Sequence, residues 1–245
     1  RRASPDIIIN AAAYTNVDKA ESEAELVHTV NAVAPGVLAK EARLLNAGLI
    51  HYSTDYVFDG TKGEPYCETD TPNPLNVYGK TKLEGEAKVT EASDRFLIFR
   101  TSWLYSLHHD GFVTRVLRWA HEKETIRIVD DQIGNPTWAR SLAETTAQVL
   151  FQAVLEPDNF WRRHKGIYHL GGAGWTTRYN WAKQILTLDP HKNLQLLSEL
   201  LPAKTSEFPT LAERPLNTSL SIDKFQKHFK INFPHWEESL KIAFS

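Results

Sequence analysis

Tyr78 and Lys82 stand four residues apart in the run Tyr78-Gly79-Lys80-Thr81-Lys82. On a helix that spacing brings both side chains to one face, whereas Lys80, two positions on, points elsewhere. A free phenol titrates near pH 10, too high for acid–base work at neutral pH. A neighbouring ammonium favours the phenolate and lowers that value, which is one route to a usable proton donor. The same spacing also describes an ordinary solvated helix face, so context decides between the two readings. Three further runs supply that context: Ala11-Ala12-Ala13-Tyr14-Thr15, Ser53-Thr54-Asp55-Tyr56 and Thr101-Ser102-Trp103, each following a strand-like apolar segment. In an open α/β sheet a ligand sits outside the carboxyl ends of the strands, so all three runs should converge on one mouth. Small side chains there would let a flat ligand approach the backbone. A hydroxyl at the sheet edge, a tyrosine with a lysine one turn on, and a small-residue run are what reduction of a carbonyl requires. Asp55 either orients a substrate or caps a turn.

The elements that must position these residues alternate along the chain. Pro5–Asn10 and Leu49–Ser53 read as strands buried on both faces, as in a parallel sheet, and Phe96–Arg100 reads as a third. Thr15 and Asp18 are spaced as a capping box, and apolar positions from Ala24 to Ala42 carry two helical stretches around Pro35. A turn-rich segment precedes a helix predicted from Val77 to Ala92. This alternation argues for an α/β, doubly wound, Rossmann-like parallel sheet with right-handed crossovers. Farther on, helices are expected at 112–122, 141–155 and 180–186, with strands at 126–129 and 166–171. The expected division is a dinucleotide-binding part over 1–127 to which 138–172 returns. A smaller, interleaved substrate-binding lobe is expected mainly from 128–137 and 173–245.

Composition excludes several classes. With 245 residues, 42% of them hydrophobic, the chain can bury a sizeable core. A net charge of −2 with both signs mixed argues against a nucleic-acid face or a membrane-surface patch. No apolar run is long enough to span a bilayer. The single cysteine, Cys67, cannot form an internal disulfide, which fits a reducing cytoplasm. No ligand set for a metal stands out: Asp130-Asp131 reads as a turn, and a role for Mg2+ is left open. Trp161, Trp175, Trp181 and Trp236 are expected to pack inside, and His108-His109 to lie on a surface loop.

Several segments together carry a resemblance. Asn10–Thr15, Ser53–Gly60, Pro74–Gly85 and Arg100–Trp103 are similar to segments of dTDP-4-dehydrorhamnose reductases, of the extended short-chain dehydrogenase/reductase type, and Asp131–Thr137 and Arg214-Pro215 extend the likeness. The resemblance implies reduction at C4 of a nucleotide-linked 4-keto sugar by NADPH or NADH, in dTDP-rhamnose biosynthesis. It implies Tyr78 as proton donor to the C4 oxygen. Lys82 would tune Tyr78 and hold the nicotinamide ribose, and Thr54 would orient the carbonyl. Ala12, Ala13, Thr15 and Tyr52 would line the cofactor, and Asp55 and Trp103 would meet the sugar. A nucleotide sugar is the expected partner, with no nucleic acid and no membrane, and a homodimer is one expectation. The family's Gly-rich phosphate loop, with the residue that selects NAD or NADP, would lie ahead of Arg1, so the chain is read as the fold without that front segment. Two alternatives remain at this point: a catalytically silent regulatory subunit resembling the methionine adenosyltransferase β subunit, and a related nucleotide-sugar epimerase or dehydratase.

Overall fold

The computed structural model describes residues 3–245. Its centre is a four-stranded parallel sheet in the order β1 (Ile7–Asn10), β2 (Gly48–Thr54), β3 (Phe96–Thr101) and a later strand, Gly166–His169. β2 and β3 are buried almost throughout, as their apolar centres on both faces of the sheet require. Successive side chains point to opposite faces, so neighbouring residues join different cores. Leu49 and Ile98 pack with Ala39, Ala42 and Val89 on one face, while Ile50, Leu97 and Phe99 pack with Leu142, Val149, Phe225 and Phe229 on the other.

Helices α1 (Val17–Ala20), α2 (Ala24–His28) and α3 (Ala34–Leu44) connect β1 to β2. The cap of α1 is Asn16, whose side chain accepts the Lys19 amide at 3.1 Å, not Thr15 as the spacing suggested. Asn16 fits the role because its amide oxygen reaches the donor three residues on. Pro35 does not break the chain into separate helices. Lacking an N–H, it interrupts the regular ladder, and Thr29–Val33 widens into a π turn that runs into α3. Between β2 and β3 lies α4 (Val77–Ala92), close to the expected bounds, capped by Asn76, which accepts the Gly79 amide at 2.9 Å. Two glycines let α4 press against its neighbours. A Cβ on Gly79 would stand 2.2 Å from the Tyr56 carbonyl oxygen, and one on Gly85 would stand 2.2 Å from that of Asn31. α4 can therefore lie directly on the segment leaving β2, which sets Tyr78 beside Thr54.

After β3 come β4 (Leu104–Tyr105), α5 (Phe112–Glu122), β5 (Thr125–Val129), β6 (Ile133–Gly134), β7 (Thr137–Trp138), α6 (Ala139–Leu155), α7 (Pro157–His164) and β8, the outer strand Gly166–His169. β9 (Thr176–Thr177), α8 (Arg178–Leu188), β10 (Glu199–Ala203), α9 (Asp223–Phe229) and α10 (Trp236–Phe244) complete the chain. β5 pairs with β10 in a separate two-stranded parallel sheet. α5, β5, α8 and α10 share a second core around Trp181, Val116 and Leu240. Residues 112–127 therefore pack away from the central sheet they were expected to join. α5 buries only its Val113, Val116 and Ala120 stripe, and β5 buries alternate residues, so both suit a one-sided small sheet. α9 crosses back to cover the main sheet. Trp161, Trp181 and Trp236 are buried, but Trp175 is 55% exposed, against the expectation of packing. Among the described residues no helix is long and apolar enough to cross a membrane.

Candidate active site

The carboxyl ends of β1, β2 and β3 and the first turns of α4 form one mouth. β2 ends in Thr54, which caps the short turn Asp55–Val57 by accepting the Tyr56 amide at 3.2 Å. The Thr54 hydroxyl donates to Asp55 Oδ1 at 3.0 Å. Asp55, 3% exposed, also takes the hydroxyls of Ser102 at 2.8 Å and Thr218 at 2.5 Å. Burial raises its pKa, and those three hydroxyls oppose the rise. Asp55 thus orders three side chains from three parts of the chain and has few lone pairs left for a ligand.

Tyr78 stands beside Thr54. Burial pushes its phenol above the ordinary range and the Thr54 hydroxyl works against that shift, while the charges of Asp55 and Tyr56 add to it. Lys82, one turn on, is 1% exposed. Its ammonium nitrogen donates to the Tyr52 carbonyl oxygen at 2.5 Å and lies 3.4 Å from His51 Nε2. Burial pulls it down to about 8, and the Glu86 carboxylate draws it the other way. So Lys82, not Tyr78, is the group brought toward neutral pH. Both contacts point to β2 and not to the phenol. Glu86 itself is held by Arg100 in a bidentate pair, Nε at 2.9 Å and Nη2 at 2.7 Å, and accepts from Ser53 Oγ.

Of the residues predicted from sequence, Thr54, Asp55, Tyr78 and Lys82 come together, with Tyr52 joined to Lys82 through its carbonyl. The Tyr52 hydroxyl meets Thr146 Oγ1 at 2.8 Å. Ala12 is exposed at the rim with Ala13 partly so, and Thr15 lies exposed just ahead of the Asn16 cap. Trp103 forms the opposite wall in left-handed backbone, φ 44°, packed on the bare face of Gly134. Its ring stacks on Trp181, and the Arg178 guanidinium lies 3.7 Å from the Trp103 ring centre.

Whether the residues present fit a nicotinamide nucleotide can be judged beside Tyr52. A mainly apolar groove of about 460 Å³ is lined by Ala11, Tyr52, Thr101, Leu104, Leu142 and Thr146. Thr101 Oγ1 is buried there with no partner. That groove lies on the α6 face of β2, where Tyr52 meets Thr146, whereas His51 and Ser53 meet Lys82 and Glu86 of α4 on the opposite face. It is on the α4 side, where a phenol and a lysine stand beside the small side chains of the rim, that the residues fit a nicotinamide ribose. Among the described residues no group of three or more His, Cys, Asp or Glu side chains could hold a metal.

Sequence reasoning missed a second feature. Arg115, Arg127, Arg178 and Arg214 line one cleft of about 420 Å³ with Tyr56 and Trp119. Burial lowers Arg178 to about 10; nearby Tyr56 and Asp55 raise it, while Arg214 and Arg115 lower it further. Three of the four have anionic neighbours: Arg214 on Asp18 at 2.7 Å, Arg127 on Glu207 and Arg115 on Asp110 at 3.8 Å. Arg178 rests on aromatic rings instead. These arginines lie far apart in sequence, and no local spacing signals their meeting.

The chain as a whole has known relatives. A family model described as the RmlD substrate binding domain matches residues 1–245. The dTDP-4-dehydrorhamnose reductase of Salmonella typhimurium is 43% identical over 242 residues, 98% of this chain and 79% of that protein. That of Burkholderia thailandensis is 42% identical over 246 residues, 98% of this chain and 82% of that protein. Among solved structures, the Bacillus anthracis dTDP-4-dehydrorhamnose reductase in complex with NADP superposes with a TM-score of 0.88 at 34% identity, covering 99% of this chain and 81% of that one. A Thermotoga maritima UDP-glucose 4-epimerase shares the fold, with a TM-score of 0.77 at 16% identity. Matched by sequence and by structure over nearly all of its length, the chain belongs to the dTDP-4-dehydrorhamnose reductase family, within the Rossmann-like reductases.

Proposed function

We propose that the chain reduces the C4 carbonyl of dTDP-4-dehydro-L-rhamnose to give dTDP-L-rhamnose, with Tyr78 as the proton donor. The observation that carries this reading is the meeting of Thr54, Tyr78 and Lys82 at one sheet mouth that adjoins a cleft of four arginines. The reduced nicotinamide, NADPH or NADH, supplies the hydride when bound. Lys82, with Tyr52 and the alanines of the rim, holds its nicotinamide end. Thr54, turning its hydroxyl from Asp55 to the substrate oxygen, and Tyr78 donate to that oxygen from two sides. As charge builds on that oxygen, Tyr78 gives up its proton, and an ammonium at Lys82 eases the departure by stabilising the phenolate. Guanidinium forks bind phosphate oxygens in pairs, so the cleft takes the diphosphate, with Tyr56 and Trp119 offering faces to the base. Trp103, backed by Arg178, closes over the sugar ring.

The expected outcome is oxidation of NADPH or NADH that depends on dTDP-4-dehydro-L-rhamnose and is lost in Tyr78→Phe. Full turnover by that variant would remove Tyr78 from the mechanism. A homodimer in the cytoplasm completes the proposed reading, and light scattering at micromolar concentration checks its size.

A further inference from the structure

His51 sits in the middle of β2, fully buried, between Asn10 on β1 and Lys82 on α4. Its role follows from which atoms carry protons. The Asn10 side-chain oxygen accepts the Ala12 amide at 3.2 Å, and that contact orients the Asn10 amide. Its nitrogen is therefore the atom that stands 3.1 Å from His51 Nδ1, and it donates there. A neutral imidazole that accepts at Nδ1 carries its proton on Nε2, and His51 Nε2 is the atom facing Lys82. Burial keeps the imidazole neutral, with the Lys82 charge as the second cause. Two donors then confront each other whenever Lys82 is an ammonium. When Lys82 is a free amine, its lone pair accepts the Nε2–H while it still donates to the Tyr52 carbonyl.

We infer that His51 is a positioning residue that holds Lys82 ready to lose its proton, through a hydrogen-bond chain from the Ala12 amide by way of Asn10. The inference rests on the reading of Tyr78 and Lys82 as the proton-donating pair. A lysine poised near neutral pH can give and regain a proton in each turnover, whereas an ordinary lysine stays charged. The charged groups around the pair do not supply this effect. Glu86, one turn on along α4, favours the ammonium, and Arg100 on β3 is matched to Glu86. β1 contributes the uncharged Asn10, and β2 the Tyr52 carbonyl, which accepts from either form of Lys82. Tyr78, on the preceding turn of α4, is neutral until it reacts.

The test has two readouts. Nitrogen-15 spectra of the imidazoles should show His51, assigned by its loss in His51→Gln, neutral and protonated on Nε2 from below pH 6 to above pH 8. An Nδ1-protonated or charged His51 would overturn the inference. The Lys82 Cε resonance, assigned through Lys82→Arg, should titrate near 8. In His51→Gln, whose amide oxygen can accept from an ammonium, that titration should rise by about half a pH unit or more, and the alkaline limb of kcat should follow it. His51→Asn can keep the contact to Asn10 without reaching Lys82. It should restore stability but not the wild-type titration. If both variants only lower the melting temperature and leave the Lys82 titration and the alkaline limb in place, His51 is merely structural. Loss of the reductase reading itself would appear separately, as full turnover by Tyr78→Phe, and would leave the spectroscopic result standing.

Discussion

The mouth and the arginine cleft adjoin each other and are built in opposite ways. At the mouth, charge is buried and answered within the protein: Glu86 by Arg100 and Ser53, Asp55 by three hydroxyls, Lys82 by the Tyr52 carbonyl. Its residues come from strand ends and from one helix, elements held by packing on both faces of the sheet. In the cleft, cations come from α5, β5, α8 and a loop, and Arg178 has aromatic rings under it but no carboxylate against it. The first arrangement fixes reacting atoms; the second leaves positive charge to be met by a ligand. Rate should therefore be concentrated in the mouth and affinity in the cleft, and substitutions in the two regions should separate kcat from KM.

The largest effect is expected from Tyr78→Phe, which removes the proton donor and leaves the ring. Turnover should fall by about 10²- to 10⁴-fold with little change in KM for the nucleotide sugar, read by steady-state kinetics. Glu86→Gln strikes the same region through its framework. It leaves the Arg100 charge buried without its counter-charge, and urea unfolding should register a loss of about 3–5 kcal/mol. Arg178→Met keeps an apolar stem against Trp103 and removes the charge. KM should rise by about 10- to 100-fold, the range for one charge-assisted hydrogen bond, while kcat stays near the wild-type value. If kcat falls instead, Arg178 belongs with the mouth and the contrast between the regions fails.

The smallest effect concerns acid stability. Burial, with the Arg100 charge beside it, lowers His169 to about 3, so the folded protein does not take up the proton that the unfolded chain binds below about 6.5. That stability is present above pH 6.5 and drains away as pH falls toward 3, by about 2 kcal/mol between pH 6.5 and 5. Melting curves at several pH values should show a shallower loss over that interval in His169→Gln.

How far these features could be read beforehand varies with their range along the chain. α4 was legible because a turn-rich segment with prolines sets off a helix-forming run, and these are local signals. The mouth was legible because strand ends must converge once a parallel sheet is assumed, and Thr54, Tyr78 and Lys82 each sit in a contiguous motif. The cap of α1 was misplaced by one residue, since Thr15 and Asn16 are both good caps and only backbone geometry chooses between them. The place of 112–127 was misread because an amphipathic helix and a short strand look the same whichever sheet they cover.

By itself the sequence determined the period of each element, the order of strands and helices, and a tyrosine and lysine on one helical face. Only the tertiary structure decided that Lys82 turns to Tyr52 and His51, and that four arginines far apart in the chain share one cleft. It also showed that burial leaves Tyr78 above its ordinary pKa and brings Lys82 to about 8. Local pattern is set by bonds between near neighbours, whereas proton affinity and shared charge depend on which distant groups exclude water from a side chain and which remain beside it.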